Sequence, residues 1–178
     1  RVLLGLFFFM GKFSSFESAK KSQLAKFFGD EKKMESIVWA FESGNETTLS
    51  AIGNDKPLVV DFWNMRCTKC PSALSKLDAL ASRTNRVTFA ACALALDPVD
   101  THTHVGELID EYPNLRHYYM QFEAKEALKR ALNFQSLPFA VVFDVYGKIV
   151  WTGDPTKGNE FDAIVASYCG MPDVRDDL

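Results

Sequence analysis

Cysteine, histidine and charge of one sign are all scarce in this chain, and each scarcity excludes something. Only 4 of the 178 residues are cysteine and 3 are histidine. Two of the cysteines, Cys92 and Cys169, stand alone in the sequence and read as single buried thiols. That count rules out the dense disulfide framework of a small secreted domain. Lys and Arg number 20 against 23 Asp and Glu, a formal net charge of -3. No Lys/Arg cluster is interleaved with aromatics, which argues against nucleic acid as the partner. No apolar run reaches the 18 or so residues of a transmembrane helix, and no internal repeat or low-complexity tract appears. A hydrophobic fraction of 47% over this length suffices for one domain with a substantial core plus an appendage.

Against this background one join stands out. Leu58-Val-Val-Asp-Phe-Trp63, a continuous apolar run interrupted only by Asp61, reads as a central strand buried on both faces, and Cys67-Thr-Lys-Cys70 follows it at once. Two cysteines two residues apart at the start of a helix are close enough to close a small disulfide ring, and the first thiolate lies near the helix's positive end. The same spacing suits half of a zinc site. Zinc needs further ligands, however. There is no second pair, His102 and His104 fall on a loop-like stretch, and Cys92 falls within a strand. Asp61 is costly in an apolar strand unless it is hydrogen-bonded or holds its proton, which favours a role in chemistry.

The remaining pattern alternates. A loose helical spacing runs from Phe16 to Phe28, and a second, with Met34, Ile37, Val38 and Phe41 on one face, spans Lys32 to Ser43. The polar run from Glu42 to Thr48 breaks it, and the main domain is expected to begin there. After the cysteine motif, Pro71 fits a first helical turn, and Ala73, Leu74, Leu77, Leu80 and Ala81 supply the apolar face of a helix ending near Arg83-Thr-Asn85. A second buried strand is expected from Val87 to Leu96, a short helix from Val105 to Tyr112, an added strand or irregular segment from Leu115 to Met120, and a helix from Glu123 to Asn133. A hairpin follows over Phe139–Asp144 and Lys148–Thr152, turning at Val145-Tyr-Gly147, and then a helix from Glu160 to Tyr168. This order implies a mixed sheet with helices on both faces, and such folds place chemistry at the C-terminal end of a central strand.

Three stretches together resemble the thioredoxin superfamily: Val59-Val-Asp-Phe-Trp-Asn-Met-Arg-Cys67-Thr-Lys-Cys70, Ser136-Leu137-Pro138, and Val141-Val-Phe-Asp-Val-Tyr-Gly-Lys-Ile-Val150. The long stretch between Asp97 and Leu132 is similar in layout to the tryparedoxin, nucleoredoxin and TlpA-type branch. The resemblance implies an α/β thioredoxin-like three-layer sandwich over residues 46–170, with an N-terminal helical extension (1–45) and a C-terminal tail (171–178). It implies thiol–disulfide exchange with protein substrates. Cys67 would be the exposed nucleophile, Cys70 the resolving thiol, Asp61 the buried carboxylate that handles the resolving thiol's proton, and Pro138 a cis-proline that, with Leu137, holds substrate backbone. Trp63 would pack near the active turn. Arg66 stands where the family usually has tryptophan, and Thr68-Lys69 where it often has Gly-Pro. Two cations beside Cys67 are expected to favour its thiolate and to change the surface that meets a partner.

Such exchange requires neither metal nor organic cofactor, and its electrons come from an upstream thiol reductant. The competing reading is a thioredoxin-fold interaction subunit with little redox activity, its apolar arm (Arg1 to Phe28) laid on a neighbouring subunit. Arg1 to Met10 reads as the remnant of a longer segment. With the lysines that follow, it resembles a transit peptide or a signal-peptide core, while Met10-Gly-Lys-Phe-Ser-Ser15 also fits an N-myristoylation pattern. The compartment is left open between a mitochondrion or other organelle and the cytoplasm.

Overall fold

The computed structural model describes residues 37–40, 44–53, 55–102 and 105–170. The expected helix over 16–28, the apolar start at 1–10, His104 and the tail 171–178 lie outside the described residues. Among the described residues seven strands form one sheet in the order β2-β1-β5-β4-β3-β6-β7. They are β1 (Ile37–Ala40), β2 (Glu46–Thr48), β3 (Leu58–Trp63), β4 (Thr88–Leu94), β5 (Arg116–Met120), β6 (Phe139–Phe143) and β7 (Ile149–Gly153). The helices among the described residues are α1 (Leu49–Gly53), α2 (Cys70–Ala81), α3 (Gly106–Ile109), α4 (Phe122–Leu132) and α5 (Glu160–Cys169).

β3, β4 and β5 run parallel, with Asp61 opposite Ala91 and Phe62 opposite Cys92. Parallel strands need covered faces, and every residue of β3 and β4 is buried, which explains why both are apolar apart from Asp61 and Thr88. Alternation along the strands separates two cores. On one face Val59, Trp63, Ala91 and Ala93 pack with Cys70, Leu74 and Leu77 of α2 and Phe161 and Val165 of α5. On the other, Val60, Phe62, Cys92 and Leu94 pack with Leu49 and Ile52 of α1 and Leu128 of α4. Phe62 and Phe161 are fully buried, and each such side chain contributes roughly 1.5–3 kcal/mol. The result is a three-layer α/β sandwich.

β6 is antiparallel to β3, with Asp61 opposite Ala140, and pairs in turn with β7, with Ala140 opposite Gly153. The connecting turn is made by Asp144, whose Oδ1 accepts the amides of Tyr146 and Lys148 at 2.9 Å, and by Gly147 at φ 74°. A glycine is favoured there because a Cβ is strained at positive φ. The expected hairpin is therefore present within one residue of its expected ends.

Two expectations need correcting. Ile37 to Ala40 is not helical but a strand, antiparallel to β2 and to β5 through Trp39 opposite Tyr119. The spacing of Met34, Ile37, Val38 and Phe41 fits a helix, but Ile-Val-Trp is also a strong strand sequence, and pairing with β5 decides between the two. Ile37–Ala40 thus supplies a strand of the sheet, and the polar run supplies β2. The helix expected over Val105–Tyr112 is reduced to Gly106–Ile109, with turns at Tyr112 and Leu115 before β5. Pro113 disfavours helical backbone at the residue before it.

Candidate functional site

β3 delivers the chain at its C-terminal end to a tight turn over Asn64–Lys69. Asn64 Oδ1 accepts the amide of Arg66 at 3.0 Å, and the Cys67 amide donates to the Asn64 carbonyl at 3.1 Å. Met65, Arg66, Thr68 and Lys69 are exposed, Cys67 is half-buried, and Cys70 is fully buried. α2 starts at Cys70 with Pro71 in its first turn and no side-chain cap from Lys69. The Cys70 amide, at the helix's N-terminal end, donates both to Cys67 Sγ at 3.1 Å and to the Cys67 carbonyl at 3.3 Å. Cys67 and Cys70 form a disulfide with a Cα–Cα distance of 5.4 Å. The two positions are thus unequal: one sulfur is accessible at the helix's positive end and the other sits inside the core.

Asp61 lies on the same sheet face as Val59 and Trp63, in the core layer that holds Cys70. It is fully buried, and no described protein group donates to either carboxylate oxygen. Burial first, and then the Asp154 carboxylate, hold its pKa well above the ordinary carboxylic range. Trp63 is 3% exposed, packs in the same cluster as both site cysteines, and finds no acceptor for its indole N–H among the described residues. Pro138 is buried at the start of β6 behind a cis Leu137–Pro138 bond. Leu137 is half-buried and touches both cores. The structure brings Asp61, Trp63, Cys67, Cys70, Leu137 and Pro138 to one end of β3 and β6, with Arg66, Thr68 and Lys69 on the outer rim.

Asp154 went unnoticed in the sequence. It follows β7 at the level of Asp61, because Asp61, Ala140 and Gly153 stand in line across three strands. Burial alone would raise its pKa, but hydrogen bonds from Thr156 and Lys157 outweigh burial and lower it. Thr156 donates through its amide at 3.0 Å and its hydroxyl at 2.6 Å, and Lys157 lies 3.3 Å away. Its neighbour Pro155 accepts Lys76 Nζ at 2.8 Å, and Lys76 also bridges to Asp162 at 2.8 Å, so the loop is tied to both α2 and α5. No motif marks Asp154, because its proximity to Asp61 arises only through strand pairing.

The other candidate groups lie elsewhere. Cys92 is fully buried on the opposite sheet face, and burial followed by Asp61 pushes its thiol pKa far up. Cys169 is 6% exposed at the end of α5, beside a cleft of about 500 Å³ lined also by Ser82, Arg83 and Arg86 at the far end of α2. His117 is a packing residue, its Nε2 2.8 Å from the Tyr112 carbonyl. Among the described residues no cluster of three or more His, Cys, Asp or Glu could hold a metal ion.

No protein-family model and no curated protein matches the chain. Solved structures do. A thio-disulfide isomerase from Thermus thermophilus superposes with a TM-score of 0.60 at 24% identity, over 76% of this chain and 92% of that one. The thioredoxin domain of a thiol-disulfide oxidoreductase from Bacteroides vulgatus gives 0.59 at 17%, over 75% and 91%. Copper-bound ScoI from Arabidopsis thaliana gives 0.56 at 17%, over 72% and 92%. The chain has the thioredoxin-like fold, in agreement with the superfamily resemblance of its motifs.

Proposed function

We propose that the protein is a thiol–disulfide oxidoreductase acting on protein disulfides or dithiols through Cys67 and Cys70. The observation that carries this reading is the disulfide between a half-buried and a fully buried cysteine at a helix N-terminus, with a buried carboxyl that has no hydrogen-bond donor among the described residues on the same face of the preceding strand. In the reducing direction the Cys67 thiolate attacks a substrate disulfide, forming one S–S bond as another breaks and releasing a substrate thiolate. Cys70 then attacks Cys67, the internal disulfide closes, and the second substrate thiolate leaves with the two electrons. A carboxyl with a raised pKa suits the proton traffic. Protonated Asp61 donates to the Cys70 thiolate released when the internal disulfide opens, and its carboxylate takes that proton back when Cys70 attacks. Pro138 and Leu137 form the wall that holds the partner backbone, and Arg66 and Lys69 favour the Cys67 thiolate. No cofactor is needed, and an upstream thiol reductant resets the pair. Two of the similar folds carry names of the same chemistry.

The test is a redox titration in thiol buffers with free-thiol counting. A reversible two-electron transition is expected, lost in Cys67→Ser, and its midpoint distinguishes a reductant from an oxidant. Thiols that stay reduced throughout would leave the scaffold reading in its place.

A further inference from the structure

Two cations flank the first cysteine of the candidate site. Arg66 and Lys69 stand before and after Cys67 in the chain, both are exposed, and neither takes part in a salt bridge among the described residues. The Asn64 side chain fixes the backbone amide of Arg66 and leaves its guanidinium unengaged. The carboxylates on the neighbouring loop after β4 are turned to backbone: Asp97 Oδ1 accepts the amide of Val99 at 3.0 Å and Asp100 Oδ2 that of Leu96 at 2.8 Å. Met65, 44% exposed, adds an apolar contact beside them. The protein as a whole carries a formal charge of -3, so this cationic rim is a local feature opposite in sign to the net charge.

We infer that the rim selects disulfides that carry carboxylates beside the sulfur atoms, whether acidic peptide segments of proteins or small anionic disulfides. The inference rests on the redox reading above and adds the substrate's charge to it. A carboxylate placed a few ångströms from the attacked sulfur meets Arg66 on one side and Lys69 on the other, while an ammonium there is repelled by both. Each pairing is modest in water, but the two act together on the encounter and on the mixed disulfide.

The experiment uses the reduced full chain and two linear disulfides of opposite charge, 3,3'-dithiodipropionate and cystamine. Each second-order rate constant is divided by that of uncharged dithiothreitol with the same disulfide, which removes the difference in leaving-group reactivity. The normalised ratio of anionic to cationic substrate is expected to exceed about tenfold at low ionic strength and to fall toward unity near 1 M salt. The exposed double variant Arg66→Ala/Lys69→Ala should bring the ratio close to one. Arg66→Lys/Lys69→Arg should restore it, and Arg66→Glu/Lys69→Glu should invert it. Rapid exchange with a wild-type ratio near unity, or a ratio unmoved by the alanine pair, would overturn this inference and leave the redox reading intact. No exchange with either disulfide would overturn both.

Discussion

Asp61 and Cys92 occupy adjacent parallel strands one register step apart, and both are wholly shielded from solvent. Burial pushes each toward its protonated form. Their surroundings differ because side chains alternate across the sheet. Asp61 faces the layer that contains Cys67, Cys70 and the start of α2, while Cys92 faces Phe62, Met120 and Leu128. The same physical cause therefore acts on a carboxyl in the layer that holds the cysteine pair in one case and on a core thiol on the opposite face in the other. Burial perturbs a group, but its neighbours decide whether the perturbation is used.

The sharpest way to break this comparison is Asp61→Asn. A carboxyl whose native pKa exceeds its unfolded value binds a proton in the folded state that the unfolded state releases, so it lowers stability as pH rises from about 3.9 through the native pKa. Each unit of elevation corresponds to about 1.4 kcal/mol. The variant should thus be more stable than the parent at pH 8, with the gain disappearing below about pH 4, as read by urea unfolding at several pH values. Disulfide exchange should slow in the same variant. Equal stability across that range would show that Asp61 ionises normally.

Cys92→Ala should behave in the opposite way. Losing a buried sulfur costs about 1 kcal/mol of stability through lost packing, with little dependence on pH below the thiol range, and the Cys67–Cys70 midpoint should not move. A shifted midpoint would mean that the two sheet faces are coupled. The smallest effect is expected from Asp154→Asn. Removing the carboxylate next to Asp61 should lower the Asp61 pKa, followed by carbon-13 NMR of the labelled carboxyl, and the change should be absent from exchange kinetics once Asp61 is Asn. An unmoved Asp61 titration would assign its elevation to burial alone.

Much of this arrangement was legible in the chain. The run Leu58–Trp63, apolar except for Asp61, reads as a strand covered on both faces, and the Cys-x-x-Cys turn with Pro71 marks the helix start, because these signals are local. The hairpin at Asp144–Lys148 was equally plain, since an Asp side chain and a glycine at positive φ close that turn without outside help. Ile37–Ala40 was misread because its local pattern satisfies two periodicities, and only the partner strand β5 chooses one. Asp154 was missed for a related reason: 93 residues separate it from Asp61, and nothing in its own neighbourhood signals a carboxyl on the far side of β6.

The sequence by itself determined which groups are chemically able to act: two cysteines at ring-closing spacing, an aspartate inside an apolar strand, and two cations flanking the first sulfur. Those are properties of residue type and of short-range order. Only the tertiary structure decided that Cys67 is part-exposed and Cys70 is not, that Asp61 has no donor among the described residues, and that Asp154 lies at its level two strands away. Exposure, desolvation and charge proximity depend on which strands pair and which helices cover them, and those relations are long-range.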